Sequence, residues 1–243
     1  VRTALALIAA ALALGLAPAR ADRMALWRIV HGQCVPAAEK GAELPPPCLQ
    51  VEGATAVIKD RNGVAQVLAI PIARVTGIED PVLLSPGAPH YFADAWRARA
   101  LMATYLTAMP ARPDVGIAIN SEYSRSQDQL HLHVDCLKRE VIKALADYAP
   151  HLDHQWRPMT VALDGRKYWA RRVDSADLGG VDPFRLLSED MPKAKDEMGS
   201  WSLAAVPVDF AGGRGFALLA DHAELTAGGH AEDLQDHDCA VAR

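Results

Sequence analysis

The sequence predicts an α+β protein built on an antiparallel sheet with helices, and three observations predict it. Short β-rich runs alternate with stretches at helical spacing. Two pairs of those runs are joined through Asn-Gly and Asp-Gly, the strongest short hairpin signals. The order β-β-α-β-β then occurs twice, at about 50–150 and about 158–222. The two copies share no clear residue pattern, so the duplication is topological: two halves of a kind that pack as a pseudo-dimer.

Each element has its own warrant. DRMALWRIVHGQC suggests a short amphipathic helix with Met24, Trp27 and Val30 on one face. TAVIK (55–59) and VAQVLAIP (64–71) form a hairpin through Asp60-Arg61-Asn62-Gly63. Pro89 to Leu106 is helical, with Phe92, Trp96, Ala103 and Leu106 at core spacing. VGIAI (115–119) is a short buried strand, and the polar loop from Asn120 to Gln127 leads into QLHLHVDC (129–136). A helix follows at about 137–149 and is stopped by Pro150. In the second half MTVAL (159–163) and RKYWARRV (166–173) flank Asp164-Gly165. Asp182-Pro183 opens a helical stretch broken near Pro192 and closed by Gly199, and WSLAAV (201–206) and GFALLA (215–220) are the last two strands.

At 243 residues, half of them hydrophobic, the chain buries one sizeable core or two small ones. A net charge of −5 with no Lys/Arg-rich run argues against nucleic acid as a partner, and no protein partner is evident. Residues 1–21 read as an export leader, with Arg2 as the positive region and Ala19-Arg20-Ala21 as the cleavage pattern. The cut falls after Ala21, or the stretch is retained as an anchor, since about 17 apolar residues is the lower limit for a span. The folded part is then 22–243, exported to the periplasmic face of the inner membrane. In such an oxidising compartment Cys34, Cys48, Cys136 and Cys239 form an even set from which two disulfides are expected, with three connectivities open. Cys34–Cys48 closes the loop holding Pro36, Pro45, Pro46 and Pro47, leaving Cys136 to tie the 129–136 strand to Cys239. No pair has the short spacing of a zinc site.

The strand 129–136 carries the chemistry. Leu130, Leu132, Val134 and Cys136 alternate with Gln129, His131, His133 and Asp135, so one face is apolar and the other polar. Three uses of that polar face compete. It is a solvated surface; or His131 and His133 bind a metal and need a further ligand, which no motif supplies; or an imidazole attacks phosphorus. A neutral imidazole is a good nucleophile near pH 7. Same-face neighbours about 7 Å apart let one ring reach phosphorus while the next meets its oxygens. The loop before the strand offers donors in Asn120, Ser121, Ser124, Arg125, Ser126 and Gln127.

The stretch NSEYSRSQDQLHLHV resembles the histidine-triad (HIT) signature, and the nearer match is one branch of that superfamily, the bacterial CDP-diacylglycerol pyrophosphatases. Other likenesses are Cys-Xaa-Pro at 34–36, VxKDxNG (57–63), AINS (118–121), YxARRV (168–173), MGS (198–200) and DHxC (236–239). Together they cover nearly all of the chain after the leader. The resemblance implies a HIT-like catalytic domain with His131 as nucleophile and His133 as a phosphate-oxygen contact. It places Asn120, Ser126, Gln127 and Gln129 at the substrate, where Gln129 replaces the first histidine of the triad and cannot titrate. It further implies hydrolysis of CDP-diacylglycerol to CMP and phosphatidate through a cytidylyl-histidine at the membrane surface, with no metal and no cofactor. Two alternatives share the same pocket: a nucleotidyltransferase using the same adduct, and a non-catalytic periplasmic lipid- or nucleotide-binding protein.

Overall fold

A computed structural model describes residues 22–224 and 228–242. Its first element is one continuous run, α1 (Ala25–Ile29), a π-turn (Val30–Cys34) and α2 (Val35–Glu39). The buried face is Leu26, Val30 and Cys34 rather than the expected Met24, Trp27 and Val30. A wide π-turn sets successive inward positions four apart, which selects that row. These side chains pack on Ala56, Ile58, Leu68 and Ile70 of the sheet. The Cys34–Cys48 disulfide bolts the helix to the start of the first strand, Cα to Cα 5.6 Å.

The fold is mixed α+β around one nine-stranded sheet, ordered β1-β2-β3-β5-β4-β8-β9-β7-β6, in which every neighbouring pair runs antiparallel. The strands are β1 (Cys48–Glu52), β2 (Thr55–Lys59), β3 (Val67–Pro71), β4 (Val115–Ile119), β5 (Leu132–Cys136), β6 (Arg157–Pro158), β7 (Trp169–Val173), β8 (Trp201–Phe210) and β9 (Gly213–His222). TAVIK and VGIAI are strands over their expected lengths. Met159–Leu163 is not: only Leu163 and Arg166 bridge across Asp164-Gly165, whose φ values of 48° and 77° suit a tight hairpin turn.

Two helices cover one face of the sheet. They are α3 (Tyr91–Ala98), which tightens into a 3-10 stretch (Arg99–Tyr105), and α5 (Pro183–Asp190), whose N-cap Asp182 accepts from the amides of Phe184 and Arg185. Phe92 and Phe184 meet edge-on between them, 5.1 Å apart. Leu132, Val134 and Cys136 of β5 belong to this core. The opposite face is covered in two separate patches, by the N-terminal helix over β2 and β3 and by α4 (Arg139–Tyr148) with the turn Ala231–Leu234 over β4, β8 and β9. The polar positions of β5 fall between those patches.

The expected pairing of all four cysteines holds, since Cys136 and Cys239 form the second disulfide. The expected placement, an exported chain at the periplasmic face of the inner membrane, is corrected. Among the described residues no helix is long and apolar enough to cross a membrane. The 1–21 leader or anchor on which that placement rests lies outside the described residues.

Candidate active site

Register puts His133 directly between Leu68 of β3 and Ala118 of β4. Its face of the sheet is not wet. Gln129 and Asp135 are fully buried, and His131 and His133 are only 7% and 6% exposed. The cover comes from the C-terminal segment. Gln235 donates to the backbone oxygens of Gly116 and His133, Asp236 N donates to Cys136 O, and Cys239 closes the disulfide three residues later. Gly229, at φ 73°, lets this segment pass the loop after β4; any side chain there would collide with Ser121.

His131 is oriented by one hydrogen bond. Its Nδ1 lies 2.7 Å from the backbone oxygen of Gln129. A carbonyl only accepts, so Nδ1 carries the proton and Nε2 keeps its lone pair. Burial, with neighbouring His133 adding to it, pushes the imidazole pKa down to about 3, so the ring stays neutral. Nε2 has no hydrogen-bond partner among the described residues.

His133 is braced differently. Its ring meets that of His131 edge-on at 4.9 Å, and its Nδ1 reaches Glu232 Oε1 at 3.1 Å. The same oxygen accepts from Gln66 Nε2, while Glu232 Oε2 accepts from Asn120 Nδ2 at 3.0 Å. Burial alone would raise the pKa of Glu232. The bonds from His133, Asn120 and Gln66 outweigh it and hold the carboxylate well below its ordinary range. With Nδ1 committed to an anion, Nε2 of His133 is buried and unpartnered among the described residues.

The other expected site residues sit as follows. Asn120 is at the site but acts on Glu232, which also donates its backbone N–H to Asn120 Oδ1. Gln129 donates Nε2 to the oxygens of Pro71 and Ala73 and accepts from Arg74, so its side chain fastens the end of β3. Gln127 accepts from the Leu26 amide and donates to Asp22 O, tying the loop to α1, and Ser126 is exposed. A cleft of about 330 Å³ beside the loop is lined by Glu79, Asp80, Glu122, Asp196 and Glu197 with Lys195; Glu79 is paired with Arg125, and the remaining excess of carboxylates disfavours a diphosphate. Among the described residues no cluster of three or more His, Cys, Asp or Glu is placed to hold a metal ion.

Glu232, Gln66 and the pairing of Asp135 with His237 escape the strand-based reading. One signal pointed to Glu232 and His237, though not to Gln66: a Cys136–Cys239 bridge forces the DHxC terminus back onto β5.

Sequence comparison first gives the class, a hydrolase of a pyrophosphate bond. The family model described as CDH: CDP-diacylglycerol pyrophosphatase matches residues 21–243. A Yersinia pestis protein described as CDP-diacylglycerol pyrophosphatase is 43% identical over 221 residues, covering 89% of this chain and 84% of the relative. The chain belongs to the CDP-diacylglycerol pyrophosphatase family. Hydrolysis of CDP-diacylglycerol, the family's general reaction, is its catalytic activity. That sets aside the non-catalytic alternative.

Proposed function

We propose that the hydrolysis runs through a covalent cytidylyl-histidine on His131. The observation that carries this is the Gln129 carbonyl on Nδ1, which fixes the tautomer and leaves a neutral Nε2 as nucleophile. Nε2 attacks the cytidylyl phosphorus, a P–N bond forms, and the P–O bond to the phosphatidate breaks with its electron pair leaving on that phosphate. Water then attacks the same phosphorus, the P–N bond breaks, Nε2 regains its lone pair, and CMP departs with the water's proton released to solvent.

His133 meets a phosphoryl oxygen with Nε2, the nitrogen that has no protein partner, while Glu232 holds its other side. Asn120 and Gln66 act through Glu232. Gln129 acts through its backbone, and Gln127 and Ser126 shape the loop that closes the site. The substrate's two acyl chains confine it to a bilayer, so catalysis occurs at a lipid surface.

We read 22–243 as one HIT-like catalytic domain. The strand order supports this, because it mirrors itself about the β4–β8 contact: β2-β3-β5-β4 is followed by β8-β9-β7-β6. Each half, about 50–150 and 158–222, is two hairpins separated by a helix, in the manner of a pseudo-dimer. β5 carries His133 and is immediately preceded by His131; the corresponding strand β9 has a single histidine, His222, at its last position.

Single-turnover incubation with CDP-diacylglycerol labelled in the cytidine tests the roles. His131→Ala should abolish both adduct and CMP release. His133→Ala should keep about one hundredth of the rate, the usual cost of one oxyanion donor. Equal loss in both variants, or turnover in His131→Ala, would contradict the assignment.

A further inference from the structure

We propose that His237, with Asp135 behind it, is the cationic group that receives the departing phosphate. The proposal rests on the His131 mechanism above and adds a residue outside the triad strand. The geometry is a ladder of alternating charge across the buried face. Asp135 Oδ2 lies 2.8 Å from His237 Nδ1, and His237 Nε2 lies 3.6 Å from the same Glu232 Oε1 that His133 approaches at 3.1 Å. His237 therefore stands beside the reacting histidines, one carboxylate removed from His133.

Its exposure is unlike theirs. Asp135 is fully buried and holds a further bond from the Cys136 amide, whereas the His237 side chain is 42% exposed. The buried carboxylate fixes Nδ1 and turns Nε2 toward Glu232 and His133, while the rest of the imidazole stays open to solvent. The charged groups around His237 are Asp135 from β5, Glu232 from the C-terminal turn and Asp60 from the β2–β3 turn, with the cation Lys59 of β2 bonded to the Asp60 and Gly63 carbonyls of that same turn; the three anions outweigh it. They favour its protonated form, the bond to Asp135 most of all, and hold its pKa above the ordinary histidine value.

The first chemical step needs such a cation. As the P–N bond forms and the P–O bond breaks, the leaving phosphate gains one negative charge. Gln129, at the first triad position, is committed to Pro71, Ala73 and Arg74 and carries no charge to meet it. His237 supplies that charge from the other end of the strand.

The test compares two substrates by kcat/KM, which reports on the first step. One is CDP-diacylglycerol; the other is the p-nitrophenyl ester of CMP, which has the same phosphorus and no phosphate in its leaving group. His237→Gln should lower the first about a hundredfold and the second no more than about threefold. Wild type should lose activity on CDP-diacylglycerol as pH rises through the raised His237 pKa. His237→Arg, a permanent cation, should recover most of the rate and lack that alkaline fall. Equal losses on both substrates, with the disulfide and melting temperature intact, would reduce His237 to a support for Glu232 and overturn the proposal. Failure of the nucleophile assignment would show separately, as absence of an adduct in wild type.

Discussion

The Nδ1 of His131 lies 2.7 Å from the backbone oxygen of Gln129, so the tautomer of one residue is set by the main chain of another two positions upstream. The Gln129 side chain in turn pins that main chain to the end of β3 through Pro71 and Ala73. The side chain at 129 thereby governs the site without touching substrate.

Gln129→His restores the triad pattern but cannot restore these bonds. A neutral imidazole has one donor, and Gln129 uses two while also accepting from Arg74. Stability should fall by about 1–3 kcal/mol, the cost of a buried group left unpaired, and activity should fall with it. Urea unfolding together with kcat/KM checks this; a variant as stable as wild type and faster would contradict it.

Glu232 gives two variants with different signatures. Glu232→Ala leaves His133, Asn120 and Gln66 without their common acceptor and should cost about 3 kcal/mol of stability. Glu232→Gln keeps the shape and loses the charge. It should stay within about 1 kcal/mol in stability yet drop at least tenfold in kcat/KM, because His133 Nδ1 loses its anion. Unchanged turnover in Glu232→Gln would remove Glu232 from the site.

Much of this was legible in the residues, and the rest was hidden for a definite reason. Period-two alternation marks β5 and its apolar face, because the pleat enforces it, but the expected strand 129–136 is shortened to Leu132–Cys136, with Gln129, Leu130 and His131 ahead of it. The Asn-Gly and Asp-Gly turns mark both hairpins through their demand for positive φ. The even cysteine count gave the disulfides. Alternation cannot say what covers a polar face, so the burial of Gln129, His131, His133 and Asp135 was not readable there. Glu232 lies about a hundred residues from His133, in a segment without periodicity, and only tertiary packing joins them. Met159–Leu163 looked like a strand because β-propensity is local while ladder formation is not.

Acid should destabilise the protein in part through His131. Its pKa is about 3 when folded against about 6.5 unfolded, so below pH 6.5 the unfolded chain takes up a proton that the native site refuses. Stability therefore falls with pH from 6.5 toward 3. The lowered Glu232 adds to the loss below its unfolded pKa, since its contribution is present above that value and disappears as pH drops. His131→Asn should make the decline between pH 6.5 and 4 smaller by about 2–3 kcal/mol. Parallel curves for variant and wild type would show that His131 is protonated normally in the native state.

The two disulfides should separate stability from activity. Cys34–Cys48 spans 14 residues, and Cys34→Ala with Cys48→Ala should cost about 3 kcal/mol by the loop model while the rate stays within a few-fold. Cys136–Cys239 spans 103 residues and anchors the segment bearing Glu232 and His237. Cys239→Ser should lower kcat/KM by at least tenfold at temperatures where the variant remains folded by circular dichroism. Equal kinetic effects of the two removals would mean that the C-terminal segment holds its place without the bridge.

Intact mass after a rapid, acid-free quench tests the central claim most directly, since a phosphoramidate is acid-labile. Mixing wild type with CDP-diacylglycerol should produce a transient species heavier by one cytidylyl group, mapped by peptide analysis to His131 and absent in His131→Ala. An adduct that persists in His131→Ala, or that maps to another residue, would contradict the mechanism even if the lipid is still hydrolysed.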